Sequence, residues 1–517
     1  MLPLLIALLT VAALIVRARR SRSRLPLPPG PKPWPFIGNM LDMPTVRPWE
    51  KYHEWCETYD SDVIFLDLPM QPTIILGSAD AALDLLDKRS NIYSSKSTSV
   101  MIDLMGWEFN LSFMPYTNRW RAHRRMFHQQ FYQGIVSKYQ PVQRQQAREF
   151  LSWALKDPAN TRKHVRLLIT SVIFYVTYGK KITSIDDEYV TLAKVAVEAL
   201  SQAVIPGACW VEYMPILKYI PSWVPGTASM KLAEKYLPYV TKMKDQPYSE
   251  VKAAFNEGSA TPCMTTSLLE RNVKKYGGTD EEAIYDEIAK NVTGLAYAGM
   301  SGRTSSACLS FLLAMALFPE VQKRAQAELD RVVGPSRLPE YEDIAQIPYI
   351  RALIMETMRW MPVIPFGVPH AVIVDDEYKG YHIPKGSMVV PNAWAMLHNP
   401  EDYPSPEEFK PERFLDEDGN IDPSVRDPTV VAFGFGRRIC LGRHFSDNTL
   451  SIYIASVLHV FDITPGVDAS GSPIKLTAEL AGGLVAMPRD VPCGLRPRSE
   501  AAAKLIWEAT GEGDSVL

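Results

Sequence analysis

Residues 433–442 read Phe-Gly-Phe-Gly-Arg-Arg-Ile-Cys-Leu-Gly, and the rest of the chain is most easily understood outward from them. A buried thiolate with no positive partner protonates, so Cys440 is placed to meet a metal or an electrophile. Gly434, Gly436 and Gly442 permit positive φ and the close approach of a flat group. Backbone N–H groups in such a turn can point at the sulfur. Arg438 is positioned to meet an anion, and Phe433 offers a ring to shield the pocket. Together these suit a thiolate on haem iron with the arginine on a haem propionate.

The pattern Phe-Gly-x-Gly-x-Arg-x-Cys-x-Gly resembles the haem loop of the cytochrome P450 superfamily, with all six defining positions present: Phe433, Gly434, Gly436, Arg438, Cys440 and Gly442. A Gly-rich turn with an incidental cysteine is the bland alternative. The resemblance implies the P450 fold, mainly α with small β-sheets. It also implies heme b (iron protoporphyrin IX), Cys440 as its metal ligand, and Phe433, Arg438 and Gly442 as cofactor contacts.

Other segments extend the resemblance in the expected order. Glu356-Thr-Met-Arg359 puts Glu and Arg on one helical face, a routine surface pair taken alone. With Pro411-Glu-Arg-Phe414 it resembles the family's buried network of Glu356, Arg359 and Arg413. Between them His370, in Pro365-Phe-Gly-Val-Pro-His370, stands where the family keeps an Arg or His for a propionate. Trp120 and Arg124, one helical turn apart, match a Trp-x-x-x-Arg used for the same purpose. Residues 90–118 resemble the variable loop that roofs the substrate pocket. Ala481-Gly-Gly-Leu484 is expected to be a final pocket turn, Arg443–His459 a helix behind the thiolate, and Val63–Leu68 with Thr73–Leu76 a small hairpin.

The stretch 281–318 is the longest helical one, ending near Phe318-Pro319; in the family this helix crosses over the haem. There the usual centre is Ala/Gly-Gly-x-Asp/Glu-Thr-Thr, but here it reads Ala298-Gly-Met-Ser-Gly-Arg-Thr-Ser305. Matching from Ser310-Phe311 puts Gly302 in the acid's place and Arg303 in the threonine's. Keeping the threonine puts Arg303 at the acid and Thr304 at the alcohol. In either register the acid is missing, because no Asp or Glu occurs between Glu287 and Glu320. Arginine is always protonated and a poor proton shuttle. Three outcomes stay open: Thr304 or Ser301 with water suffices for proton delivery, Arg303 anchors a carboxylate substrate, or the reaction needs no proton relay. Arg303 could also point away and ion-pair elsewhere. Thr304, Arg303 and Ser301 are the catalytic candidates.

At 517 residues and 46% hydrophobic composition the chain can bury an extensive core. Lys+Arg of 55 against Asp+Glu of 58, a net charge of −3, gives no basic signature for nucleic acid. Six scattered cysteines without a CxxC pair argue against a zinc site or a disulfide framework. Residues 1–16 carry no charge and are followed by Arg17, Arg19, Arg20, Arg22 and Arg24. That order fits an uncleaved single-pass anchor in the endoplasmic reticulum membrane, with everything downstream facing the cytosol. Asn110-Leu-Ser112 and Asn291-Val-Thr293 match sequons, but a cytosolic domain would not meet the transferase. Residues 17–35 form a basic and proline-rich hinge, with six prolines in 25–35 favouring a stiff extended spacer. Residues 36–498 are the catalytic domain and 499–517 a tail without identifiable role. Ile205–Gly226, aromatic and proline-punctuated, is expected to touch the membrane a second time.

Within the superfamily the chain is similar to fungal (basidiomycete) secondary-metabolite enzymes, such as the tryptamine hydroxylases and the O-methylsterigmatocystin oxidoreductases, through Phe36-Ile-Gly-Asn-Met40, Met105-Gly-Trp-Glu-Phe109 and Val425-Arg-Asp-Pro428. The resemblance implies a monooxygenase of a small organic metabolite, using O2 and electrons from NADPH through NADPH–cytochrome P450 reductase. A haem-thiolate isomerase, dehydratase or peroxygenase and a non-catalytic haem-binding protein are the alternatives.

Overall fold

Helix formation dominates because long apolar stretches here lack the period-two alternation that strands require. The structure, a computed structural model, describes residues 25–204, 209–224, 226–468, 470–489 and 491–511. The expected anchor at residues 1–16 and the first part of the hinge lie outside the described residues. Twelve longer helices frame the body: α1 Pro48–Thr58, α2 Asn118–Phe131, α3 Gln140–Lys156, α4 Thr161–Tyr178, α5 Glu188–Ala203, α6 Ala228–Asn256, α7 Met264–Tyr276, α8 Glu282–Leu317, α9 Pro319–Val333, α10 Pro348–Trp360, α11 Arg443–Val460 and α12 Glu500–Thr510.

Helix α8 is the spine. It is apolar around nearly its whole circumference, which makes it a core helix, and it packs against α2, α4, α5, α6, α7 and α11. Thr293, Ser301 and Ser305 satisfy their hydroxyls by bonding back to carbonyls four residues earlier, at 3.0, 2.7 and 2.6 Å. It ends at Phe318, where Pro319 cannot continue the ladder and begins α9 instead. Among the described residues no single helix is long and apolar enough to cross a membrane.

The main sheet has four strands in the order β1-β2-β4-β3, with β1 Val63–Leu66, β2 Thr73–Leu76, β3 His370–Ala371 and β4 Met388–Pro391. β1 and β2 form the expected hairpin (Val63 opposite Leu76), though β1 stops two residues short of Leu68. β2 runs parallel to β4, and β3 pairs antiparallel to β4 with His370 opposite Val389. The β-branched strand residues are buried on both faces, which ties the sheet to its neighbours. A second pair, β5 Phe461–Pro465 and β6 Cys493–Pro497, closes the far end.

Two segments differ from expectation. The proline-rich run is extended, but its backbone is pinned to the body rather than standing clear of it. Pro26 and Pro29 carbonyls accept from His382 and Phe65 backbone N–H groups at 2.8 Å, and the Pro31 carbonyl accepts from the Asn39 amide. Residues after Arg498 include α12, capped by Ser499, which accepts from the Ala502 N–H; Ala502 and Ile506 are buried and the helix packs on α3.

Candidate haem-thiolate site

The Cys440 loop is held open by its glycines. Gly434 and Gly436 sit at φ of 75° and 50°, and a Cβ on Gly436 would come within 2.4 Å of the Leu86 carbonyl. A side chain on Gly442 would lie 2.7 Å from Met300 Cε of α8 and 3.9 Å from Cys440 Sγ. The Cys440 N–H donates to the Phe433 carbonyl at 2.8 Å, closing the turn. The loop and α8 thus face each other across a cavity of about 210 Å³.

That cavity brings together Cys440, Phe433, Arg438, Gly442, Arg124, His370, Arg303 and Thr304 from distant parts of the chain. From α8 it is lined by Leu295, Gly299, Met300, Arg303, Thr304 and Ala307, a set with i, i+4 spacing along one face. This phase separates the two registers on the distal side. Arg303 faces the cavity, whereas a Cβ on Gly302 would meet Val197 of α5 at 3.3 Å. Thr304 also lines the cavity, its hydroxyl 3.3 Å from that of Ser446 on α11. Ser301 does not line it; its hydroxyl is spent on the Tyr297 carbonyl.

One edge of the cavity is crowded with cations. Arg438 donates to the carbonyls of Ser94, Leu111 and Met114 at 2.7, 3.0 and 2.7 Å. Arg124 donates to the Ile439 carbonyl at 3.0 Å, and Lys96 to the Val368 carbonyl at 2.6 Å. His370 Nδ1 donates to the Tyr93 carbonyl at 2.8 Å, which leaves Nε2 free to face the cavity. Burial, then repulsion from Arg124, brings Arg438 down to about 9. Burial brings Arg124 to about 10 against the pull of Cys440. Burial and then Lys96 hold His370 well below its usual range, and burial and then Arg438 do the same to Lys96.

Lys96 is a site residue that sequence reasoning did not single out. It reaches the cavity because the Ala371 N–H bonds to the Ser95 carbonyl at 2.9 Å, a contact between residues far apart in sequence. Trp120, also expected on a propionate, is placed against Arg124 and Arg438. It does not line the cavity; its indole N–H donates to the Leu111 carbonyl at 3.2 Å, and its ring supports Arg438 and Arg124 at 4.3 and 5.3 Å. Ala481–Leu484 is also absent from the lining, Leu484 being packed elsewhere with its N–H on the Ser201 carbonyl.

Behind the loop, Glu356 and Arg359 are fully enclosed. Arg359 clasps Glu356 bidentately at 2.7 and 2.8 Å, and Arg413 adds a third contact at 3.2 Å. The remaining donors go to the carbonyls of Leu397, Pro404, Ser405 and Glu408.

Haem fits this arrangement. The edge cations make no ion pair among the described residues, so a group with two carboxylates supplies what they lack. Beside them the Cys440 loop presents a lone cysteine to the same cavity, whose lining is otherwise largely apolar. Such a site defines a haem-thiolate protein. The chain belongs to the cytochrome P450 family, whose model matches residues 28–485. It is similar to cytochrome P450 monooxygenase ple1 of Rhodocybe pseudopiperita, 41% identical over 91% of this chain and 90% of that protein. It is also similar to cytochrome P450 monooxygenase COX2 of Coprinopsis cinerea, at 40% over 93% and 91%. Tryptamine 4-monooxygenase of Psilocybe cyanescens is 37% identical over 91% and 92%.

Proposed function

We propose that this protein is a haem-thiolate monooxygenase that oxidises a small organic metabolite in a fungal biosynthetic pathway, with electrons passed from NADPH by a cytochrome P450 reductase. The observation that carries this is the convergence of Cys440, the cationic edge and the apolar face of α8 on one cavity. Cys440 would hold the iron, Arg438, Arg124, Lys96 and His370 the propionates, and Phe433 and Gly442 the approach to the ring. When bound, haem supplies the reductive activation of dioxygen, which a thiolate ligand favours.

The chain's own residues then shape the outcome. Leu295, Phe127, Val363 and Ile364 keep bulk water from the reacting region. Thr304 lines the cavity from α8 and is the alcohol left to order a water there in place of the missing acid, with its hydroxyl 3.3 Å from that of Ser446 on the helix behind the thiolate. Arg303 cannot pass a proton and instead presents a fixed positive charge. That charge favours a second reading, chemistry without a reductase, as in a peroxygenase or isomerase.

Membrane association is part of the proposal. An exposed apolar group, Trp210, Met214, Ile216, Tyr219 and Trp223, supports contact with lipid near the second expected membrane segment. Residues 205–208 and 225 of that segment lie outside the described residues. With the arginine-flanked N-terminus, it favours an endoplasmic reticulum location.

The test is direct. Wild-type protein, reduced under carbon monoxide, should give the thiolate-type spectrum and Cys440→Ser should lose it; retention in the variant removes Cys440 from its role. Oxidation of a substrate only with NADPH and reductase supports the monooxygenase, and turnover without them supports the second reading.

A further inference from the structure

Arg303 is placed unlike any other arginine near the cavity. It lies one turn after Gly299 on the α8 face that lines the cavity, among Leu295, Ala307 and Phe127. Among the described residues its guanidinium makes no hydrogen bond and no ion pair, while Arg124, Arg359, Arg413 and Arg438 each make at least one. A planar cation with five donors in an apolar chamber is costly to leave without an acceptor. None of Lys96, Arg124, His370 and Arg438 acts on Arg303, which stands apart from that edge. One turn earlier the same face is open: a Cβ on Gly299 would meet only Leu295 Cδ1, at 3.8 Å.

We propose that Arg303 binds the carboxylate of the substrate, so that this enzyme acts on apolar molecules bearing a single carboxylate. The inference rests on the haem-thiolate reading and names its substrate class. A guanidinium fork matches a carboxylate in two parallel hydrogen bonds, which a neutral ester or alcohol cannot reproduce. The apolar lining takes the carbon skeleton, while the charge pair fixes which end of it stands over the loop of Cys440. The vacant edge of Gly299 gives the carboxylate room to reach the arginine.

The experiment uses full-length, haem-loaded protein and paired probes: benzoate, cinnamate and decanoate, each beside its methyl ester. Binding is read as the spin-state change of the ferric haem and, independently, by equilibrium dialysis. At least one acid should bind tenfold or more tightly than its ester. Arg303→Gln should erase that preference while leaving ester affinity within about twofold, and Arg303→Lys should restore part of it. The proposal is overturned if no acid outbinds its ester, which includes no binding at all, or if the preference survives in Arg303→Gln. A thiolate-type carbon monoxide spectrum in all three proteins shows that such a failure belongs to Arg303 alone. Loss of that spectrum in the wild type would instead overturn the haem-thiolate reading itself.

Discussion

Two groups of buried cations in this molecule are built in opposite ways. Arg359 and Arg413 share Glu356, and every strong donor they carry ends on that carboxylate or on a nearby carbonyl. Lys96, Arg124 and Arg438, with His370 beside them, hydrogen-bond only to neutral carbonyls, and burial holds the proton affinity of all four down. The first group is complete within the chain. The second is a socket, completed by an anion from outside. A buried charge network that closes on itself fixes a fold, and one that stays open marks where something binds.

The closed group gives the largest expected effect. Glu356→Leu leaves two guanidinium groups facing each other without a counter-charge and should cost about 3–5 kcal/mol. Against a total stability of roughly 5–15 kcal/mol, that loss would leave little folded protein at ambient temperature. Urea denaturation of the haem-loaded protein measures it. Replacing all three members with apolar residues (Glu356→Leu, Arg359→Met, Arg413→Met) should recover part of the loss, since no charge is then stranded. A single-variant loss under about 1 kcal/mol would mean that the network is not what steadies the segment before the Cys440 loop.

The open group should respond through the cofactor. Lys96→Met removes one cation from the socket and the single bond to the Val368 carbonyl. Haem should leave about tenfold faster, equivalent to about 1.4 kcal/mol, as followed by transfer to an acceptor globin. An unchanged rate would take Lys96 out of the socket and leave Arg124, His370 and Arg438 to hold the propionates.

The closed group was legible in sequence and the open one only partly so, for a physical reason. Glu356 and Arg359 sit three apart on one helix, so local spacing declares them neighbours. The Cys440 loop is likewise contiguous. Lys96 joins the socket only through the bridge from Ser95 to Ala371, and no local pattern announces such a contact. The register of α8 was undecidable because a helix that is apolar on all sides carries no phase; the packing of Gly302 on Val197 supplies it. Trp120 shows the converse limit: its spacing from Arg124 is right, yet its N–H is spent on Leu111 and its ring serves as a platform. Helix α12 carried its own signal, Ser499 as a cap before Ala502 and Ile506 at i, i+4 spacing, and was readable from the sequence.

Another carboxylate, Glu212, tests whether the distinction extends to the segment expected to roof the cavity. Glu212 reaches from the turn Trp210–Glu212 to the start of the short helix Val100–Leu104. It accepts from Ser99 Oγ at 2.7 Å, from the Met101 N–H at 2.8 Å and from the Val100 N–H at 3.2 Å. The contact joins two segments that sequence reading treated separately, the pocket cover and the expected membrane contact. It is neither enclosed like Glu356 nor open like the socket. Glu212→Gln keeps one acceptor oxygen and loses the charge, and charge-assisted bonds are roughly twice as strong as neutral ones. Global stability should therefore fall by less than about 1 kcal/mol, while the amides of Val100 and Met101 exchange with deuterium severalfold faster. Hydrogen-exchange mass spectrometry of the 99–104 peptide separates the two effects. Unchanged exchange would mean that other packing holds the cover. A global loss as large as that of Glu356→Leu would make Glu212 part of the fold's closed framework, because a latch on a cover opens locally and leaves the core intact.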